Sequence, residues 1–418
     1  MITRVEALGY RCLRYIRQPL GSLHALVGPN ASGKSTFLDV IAFLGSLVRR
    51  GPQAAVEERT KNFQDLVWRR DGRAFELAIE VDVPEALRST LARPDLVVLR
   101  YEVRVALDPE TDEVGLDAER LSFGMPDAGQ ELLFSDPTPP VTILTPTPAR
   151  NRALVVNKTA SGNDNFYAET REAHQGRSSP WTILYKLSRR RSALGNLPED
   201  ESLFPVATWF KRFLLDDVQE IALRGDSLRL ASPPGQRRRF KPDGSNLPWV
   251  VADLEKRDSE RHRQWLEHLQ TALPDLEGIQ VVDREDDRHR YLVLRYAGGL
   301  EVPSWSASDG TLRMLALTLP AYLLDLPGIF LIEEPENGIH PRAIEAVYHS
   351  LSSVYDAQIL LATHSPVTLG VVDPKDVLCF SRTMERGTDI VRGTDHPALR
   401  DWKGEPSLGV VFAAGVLG

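Results

Sequence analysis

The chain has 418 residues, of which 42% are hydrophobic and 26% charged, and this composition predicts a globular protein of two lobes or domains. No run approaches the roughly 18 apolar residues of a membrane span, the N-terminus lacks the apolar core of a signal peptide, and two cysteines make neither a disulfide framework nor a metal cluster. We therefore expect a cytoplasmic protein without membrane partners, and the formal charge of −8 argues against a uniformly basic nucleic-acid binder.

A glycine-rich loop organises the N-terminal part. Strands are predicted at Ile2–Leu8, Cys12–Ile16 and Leu23–Val27, and the third leads into the run Gly28, Pro29, Asn30, Ala31, Ser32, Gly33, Lys34, Ser35, which satisfies every position of G-x-x-x-x-G-K-[ST]. A helix is predicted directly after it, beginning at Thr36. In this order of strand, loop and helix, backbone N–H groups face phosphates, Lys34 reaches the β- and γ-oxygens, and the Ser35 hydroxyl binds Mg²⁺.

The middle of the chain predicts an antiparallel sheet followed by an insertion. Strands with period-2 alternation are expected at Phe75–Val81, Leu96–Ala106 and Glu119–Phe123. Prolines then break up the sequence, and we mark residues 145–245 as an insertion between a head segment at 1–144 and a second at 246–418. Within the insertion we predict a strand at Arg152–Lys158, helices near Trp181–Arg191 and at Glu201–Leu215, and a strand pair over Val218–Leu230.

The C-terminal part predicts further helices and strands. Helices are expected at Trp249–Lys256 and Glu260–Leu273, strands at Ile279–Asp283, Tyr291–Tyr296 and Leu300–Val302, and a helix capped by Ser308 that runs to about Leu324 with a kink at Pro320. No sustained heptads occur, which excludes a long coiled-coil arm.

Two apolar strands end in residues suited to phosphate chemistry. The run 328–335 contains an apolar strand that ends in the two carboxylates Glu333 and Glu334. At the ligand-facing end of a parallel strand, Glu333 can orient Mg²⁺ and Glu334 can act as general base on water. The run 358–366 contains a second apolar strand that ends in His364. His364 is a candidate γ-phosphate sensor, although a lone histidine is more often structural.

This order of motifs resembles the ABC-type ATPase heads, specifically the bacterial AAA family of predicted ATPases akin to RecF-like, SMC-like and OLD-like proteins. The resemblance covers residues 1–50 and about 242–418. It implies an α/β head with a central, mostly parallel sheet, an antiparallel side sheet and a helical signature lobe, plus an inserted α+β region.

The resemblance also implies roles for residues by position. Gly28 to Ser35 correspond to Walker A, which binds ATP together with Thr36, and Glu333 and Glu334 correspond to Walker B. His364 corresponds to the switch histidine, and Ser308, Asp309 and Gly310 correspond to the signature, which binds the γ-phosphate held by a partner subunit. Glu336 to His340 correspond to the D-loop, with His340 in place of the usual aspartate, Gln64 to a Q-loop ligand of Mg²⁺, and Arg11 to an arginine near the nucleotide. Glu333 departs from the commoner aspartate.

These roles predict ATP hydrolysis by a head-to-tail homodimer, because one chain holds one copy of each motif. Three biological roles compete: an ATPase that regulates a separately encoded effector in an anti-phage defence system, a DNA repair or chromosome ATPase, and a transporter ATPase. An in-chain nuclease is not expected. DNA is a possible partner through Arg237-Arg238-Arg239-Phe240-Lys241, where four cations around an aromatic could grip a phosphate backbone, although a solvated loop is the simpler interpretation.

Overall fold

A computed structural model describes residues 1–126, 139–146, 151–175, 181–236, 239–324, 326–383, 385, 387–397 and 408–413. The chain forms two compact units. The first comprises Met1–Gly21, Asn30–Val218 and Phe380–Ile390, and the second comprises Ser22–Pro29, Gln219–Cys379 and Val391–Gly418. The chain passes from one unit to the other inside the glycine-rich loop. The division of the chain into a head segment at 1–144, an insertion at 145–245 and a second head segment at 246–418 remains a prediction.

The strands, in chain order, are β1 (Ile2–Tyr10), β2 (Leu13–Pro19), β3 (Leu23–Val27), β4 (Ala74–Asp82), β5 (Val98–Leu107), β6 (Val114–Gly124), β7 (Arg152–Thr159), β8 (Asp164–Tyr167), β9 (Thr182–Tyr185), β10 (Val218–Ile221), β11 (Leu276–Asp283), β12 (Arg290–Tyr296), β13 (Leu300–Pro303), β14 (Gly328–Glu333), β15 (Ala357–Ala362), β16 (Val377–Thr383) and β17 (Gly387–Arg392). The α-helices are α1 (Lys34–Arg50), α2 (Pro52–Glu57), α3 (Glu85–Arg88), α4 (Arg171–His174), α5 (Pro205–Arg212), α6 (Gly225–Arg229), α7 (Leu247–Arg257), α8 (Ser259–Gln270), α9 (Asp309–Thr318), α10 (Pro341–Ser352), α11 (Pro366–Val371) and α12 (Leu408–Ala413).

The first unit is built on an eight-stranded sheet in the order β2-β1-β4-β5-β6-β7-β8-β9, in which every neighbouring pair is antiparallel. Strands β4 and β5 are buried along almost their whole length, so the charges they carry have to be paired. Glu80 lies opposite Arg100 in the register, and Arg100 also forms ion pairs with Glu6 and Glu102. This sheet confirms the predicted antiparallel side sheet.

The second unit contains the parallel strands. Parallel pairing joins β14 to β15, β15 to β3 and β3 to β16, within a six-stranded sheet of order β10-β14-β15-β3-β16-β17. Every residue of β15 is buried, as expected of a parallel strand covered on both faces. Strands β11, β12 and β13 form a separate antiparallel sheet, and the apolar faces of α7 to α10 supply much of the core.

Two predicted elements are wrong. The segment near Trp181–Arg191 contains strand β9 rather than a helix, because β9 pairs with β8 and Tyr185 stacks on Phe166 at 4.9 Å. Thr182, Ile183 and Tyr185 are β-branched or aromatic residues that favour strands, so the local sequence also argues against the predicted helix. The predicted strand pair over Val218–Leu230 is β10 followed by helix α6, whose Leu228 is buried in the core.

Within the described ranges the longest helix is α1 with 17 residues, and each helix is too short or too polar to cross a membrane.

The basic run at 237–241 does not surround an exposed aromatic side chain. Phe240 is buried in the core, and Lys241 Nζ donates a hydrogen bond to Gln236. Arg237 and Arg238 lie outside the described residues.

Candidate functional site

The glycine-rich loop has a backbone shaped to receive an anion. Gly28, Ala31 and Gly33 have φ values of 146°, 62° and 110°, in the left-handed region that glycine favours. Helix α1 begins at Lys34, which is 6% exposed, and its first hydrogen bond runs from the N–H of Phe37 to the carbonyl of Gly33 at 2.8 Å. The first N–H groups of an α-helix have no carbonyl partner within the helix itself, and groups of this kind commonly bind anions at a helix N-terminus.

A distant residue braces this loop within the first unit. The Thr388 hydroxyl donates to the carbonyl of Ser32 at 2.8 Å. A Cβ on Gly33 would lie 2.5 Å from that same hydroxyl, so glycine is required there by contact as well as by φ. Thr388 therefore fixes the back of the loop.

Arg11 is attached to the helix that follows the loop. Its guanidinium lies 3.2 Å from Asp39 of α1, which also accepts from Arg59 at 2.6 Å and from the Tyr10 hydroxyl at 2.6 Å. One carboxylate thus faces two cations. The structure places Arg11 beside α1, and its role near a nucleotide remains a proposal.

Gln64 lies in a 3-10 turn, Phe63–Leu66, that packs towards the same helix. Phe63 stacks on Phe75, whose ring is 5.5 Å from that of Phe43 in α1. The backbone N–H of Arg11 donates to Leu66. Gln64 Oε1 is buried and has no hydrogen-bond partner among the described residues. A buried amide oxygen without a partner is costly, which fits a ligand position.

Three predicted site segments follow neighbouring strands in the second unit. In the register, Glu333 lies opposite Ala362, and Ala362 lies opposite Leu26. Because β14, β15 and β3 are parallel, Glu333 with Glu334, His364 and Gly28 all emerge at one edge of the sheet. Ligands bind at this carboxyl edge in open α/β sheets.

Glu334 is held in a strained conformation at this edge. Its φ is 48°, which is uncommon for a residue with a side chain. Its N–H donates to the carbonyl of Ala362 at 2.8 Å, and the amide of Asn337 donates to its carboxylate. Such strain persists only where surrounding contacts enforce it and is concentrated at functional sites.

His364 is positioned by a residue for which we had assigned no separate function. Glu336 Oε1 accepts from the backbone N–H of His364 at 2.9 Å and from the Thr363 hydroxyl at 2.8 Å. Glu336 Oε2 is buried without a hydrogen-bond partner in the described part of the chain. The segment after β14 therefore holds the segment after β15.

The signature-like residues begin α9. Ser308 is the N-cap, its hydroxyl accepting from the N–H of Thr311 at 3.1 Å, as predicted. Asp309 pairs with Arg313 at 2.7 Å. A Cβ on Gly310 would lie 2.4 Å from the carbonyl of Gly338, so the start of α9 touches the D-loop-like segment directly. The exposed Ser308 leaves this helix end accessible.

The residues present fit ATP and Mg²⁺. The loop is a backbone cradle with a buried lysine, and the candidate metal residues Ser35, Gln64 and Glu333 offer only oxygen ligands, the type that Mg²⁺ prefers. Gln64 contributes a buried oxygen that has no hydrogen-bond partner among the residues that the structure describes.

Sequence reasoning missed Thr388, Asp39 and the separate function of Glu336. Thr388 and Asp39 lie in no recognisable motif, whereas Glu336 lies in the segment assigned to the D-loop. For Asp39, the available signal was its spacing four residues after Ser35 on α1.

Comparisons with known proteins show a family and a fold for this chain. A family model described as "AAA domain, putative AbiEii toxin, Type IV TA system" matches residues 23–370. The curated OLD nuclease of Thermus scotoductus is 25% identical over 378 residues, and the match covers 88% of this chain but only 59% of the relative.

Solved structures are similar in fold. An Smc head bound to the C-winged helix domain of ScpA has a TM-score of 0.53 at 14% identity, over 93% of this chain and 97% of that one. A Pyrococcus furiosus Smc head with an extended coiled coil, bound to the C-terminal domain of ScpA, has a TM-score of 0.49 at 12% identity, over 93% and 95%. The chain has the fold of an ABC-type ATPase head, and the resemblance to SMC-, RecF- and OLD-like ATPases is confirmed.

Proposed function

Since this chain belongs to the AAA-domain family described as "putative AbiEii toxin, Type IV TA system", we propose that it binds ATP with Mg²⁺, hydrolyses it, and dimerises in doing so. The observation that carries the proposal is the sheet edge where Gly28, Glu333 with Glu334, and His364 follow three adjacent parallel strands. The loop that begins at Gly28 supplies the backbone cradle and Lys34.

Each residue then has a chemical task. The N–H groups that begin α1 and the Lys34 ammonium bind the phosphate oxygens and stabilise charge that develops on them. Ser35, Glu333 and Gln64 would hold Mg²⁺, which when bound neutralises phosphate charge. Glu334 orients water and takes its proton, and His364 donates to the terminal phosphate. The contact of Glu336 keeps His364 in place.

Dimerisation follows from the placement of the signature. Ser308 caps an accessible helix end whose N–H groups can bind the γ-phosphate of a second copy. Because each chain has one phosphate loop and one signature, two chains arranged head to tail complete two sites.

For the biological role we propose regulation of a separately encoded effector in an anti-phage defence system. The family description, which names a toxin of a type IV toxin–antitoxin system, supports a setting of this kind. The likeness to Smc heads leaves a DNA repair or chromosome ATPase as the alternative. No observation of the described residues favours the transporter hypothesis.

The test is the variant Glu334→Gln, which keeps the shape of the side chain and removes its basicity. We expect it to bind ATP, to hydrolyse it at least about a hundredfold more slowly, and to sediment as a dimer with ATP and Mg²⁺ but as a monomer without them. Glu345→Gln, on an exposed position of α10, is the matched control and should behave as the wild type. Normal hydrolysis by Glu334→Gln would show that the general base is another residue.

A further inference from the structure

The first unit contains a cavity of about 400 Å³ that none of the residues discussed so far as nucleotide ligands line. Its walls come from β5, β6 and β7 of the side sheet and from the segments 91–93, 145–146 and 167–174. This volume lies within the range of sites for small organic ligands, and the wall combines apolar side chains with a few polar ones, as such sites do.

Two arginines in the wall have incomplete hydrogen bonding. Arg120 Nη1 donates to the carbonyl of Thr145 at 2.6 Å, but Arg120 Nε is buried and has no partner among the described residues. Arg152 has one long contact, 3.5 Å from Glu80, and its Nη1 is likewise buried without a partner in that part of the chain. Buried N–H donors of a guanidinium group are rarely left without acceptors.

The charges around the cavity do not balance. Three arginines line the cavity, Arg93, Arg120 and Arg152, and the wall carries two carboxyl groups, Glu102 and Glu169. Arg93 is paired with Asp95 at 2.7 Å. The closest contacts to carboxylates that Arg120 and Arg152 make are long, 3.6 Å and 3.5 Å, so they are the least neutralised of these cations that face the cavity. An anion beside them would complete both the charge balance and the hydrogen bonds.

The carboxyl groups in the wall do not oppose an anion strongly. Glu102 already accepts from the N–H and the hydroxyl of Thr145 and from Arg100. Burial raises the pKa of Glu169 to about 8, so this group is largely neutral at pH 7.

We propose that this cavity binds a small organic anion, whose phosphate or carboxylate group accepts hydrogen bonds from Arg120 and Arg152 and whose apolar part packs against Leu91, Phe123 and Tyr167. Arginine pairs suit planar, multidentate recognition of both groups. The inference does not rest on the proposed function, because it involves none of the residues assigned to ATP.

The test is calorimetric titration with phenyl phosphate, benzoate and, as the uncharged probe, benzyl alcohol. The full chain carries Lys34→Ala throughout, so that the phosphate loop cannot account for binding. We expect phenyl phosphate or benzoate to bind with Kd below about 10 mM and benzyl alcohol at least tenfold more weakly. The relative affinity of the two anions decides between phosphate and carboxylate as the preferred group.

Three variants localise the binding. Arg152→Gln should weaken it about tenfold through the loss of a charge-assisted hydrogen bond. Ala92→Phe should abolish it by filling the cavity without changing charge, which keeps the test valid should Arg152→Gln fold poorly. Arg73→Gln, an exposed arginine outside the cavity wall, should leave binding unchanged. No binding of either anion, or binding that survives Ala92→Phe, would overturn the proposal.

Discussion

Glu336 and His364 are joined by a hydrogen bond of 2.9 Å from the backbone N–H of the histidine to a carboxylate oxygen. The same oxygen accepts from the Thr363 hydroxyl, so a single side chain after β14 fixes the end of β15. A residue that touches neither nucleotide nor water in the proposed mechanism can in this way decide where the γ-phosphate sensor lies.

We predict that Glu336→Ala lowers the kcat of ATP hydrolysis about ten- to hundredfold, because small displacements of a catalytic group have effects of this size. The KM for ATP should change much less, since the phosphate loop is untouched. Steady-state ATPase assays measure both constants, and Glu345→Ala is the control on an exposed position. A kcat equal to that of the wild type would mean that the position of His364 does not limit turnover.

The strained backbone of Glu334 predicts opposite effects on stability and activity. Glu334→Gly should abolish hydrolysis but raise the free energy of unfolding by about 1 kcal/mol, because glycine adopts a φ of 48° without strain. Glu334→Ala should lose activity equally and gain no stability. Denaturant unfolding of both variants provides the comparison, and equal stability of the two would contradict the strain argument.

Composite sites predict complementation between inactive variants. Lys34→Ala should weaken ATP binding, whereas Ser308→Arg should bind ATP and fail to turn it over. Mixed in equal amounts, the two should recover about a quarter of the wild-type activity, because half of the dimers are then heterodimers with one working site each. Crosslinking confirms that heterodimers form, and their inactivity would count against head-to-tail sites.

Glu169 predicts a specific pH dependence of stability. Burial raises its pKa to about 8 from the ordinary 4.5, although the N–H groups of Val206 and Ala207 at the start of α5 act in the opposite direction. The folded state then keeps a proton that the unfolded chain releases between these pH values. Stability from this group is therefore present at low pH and is lost as pH rises through 8, by up to ~1.4 kcal/mol per pH unit.

The measurement is the free energy of unfolding in urea at pH 5.5 and pH 8.5. We expect Glu169→Gln to reduce the fall between the two values, because glutamine does not titrate. Glu172→Gln, on an exposed neighbouring position of α4, should leave the fall unchanged. An identical fall in Glu169→Gln and the wild type would show that Glu169 is ionised throughout.

The sequence by itself determined those parts of the protein whose chemistry lies in contiguous residues. The loop 28–35, the carboxylates at 333–334 and His364 could be identified because each motif needs a local strand, turn or helix start, and local patterns report these. The antiparallel sheet followed from the same periodicities, whereas the central, mostly parallel sheet was what the family resemblance implied. The helix cap at Ser308 was also predicted from the local sequence, and the structure confirms it, whereas the family resemblance supplied the signature role of Ser308.

Tertiary structure alone decided the contacts between residues that are distant in sequence. Thr388 braces Ser32 across 356 positions, and no spacing rule connects them. Strand β9 pairs with β8 in a register that runs from Asp164 opposite Tyr185 to Tyr167 opposite Thr182. The cavity with Arg120 and Arg152 likewise arises only when three strands and three further segments enclose it. Burial and pairing energies at these places depend on neighbours that local sequence patterns do not specify.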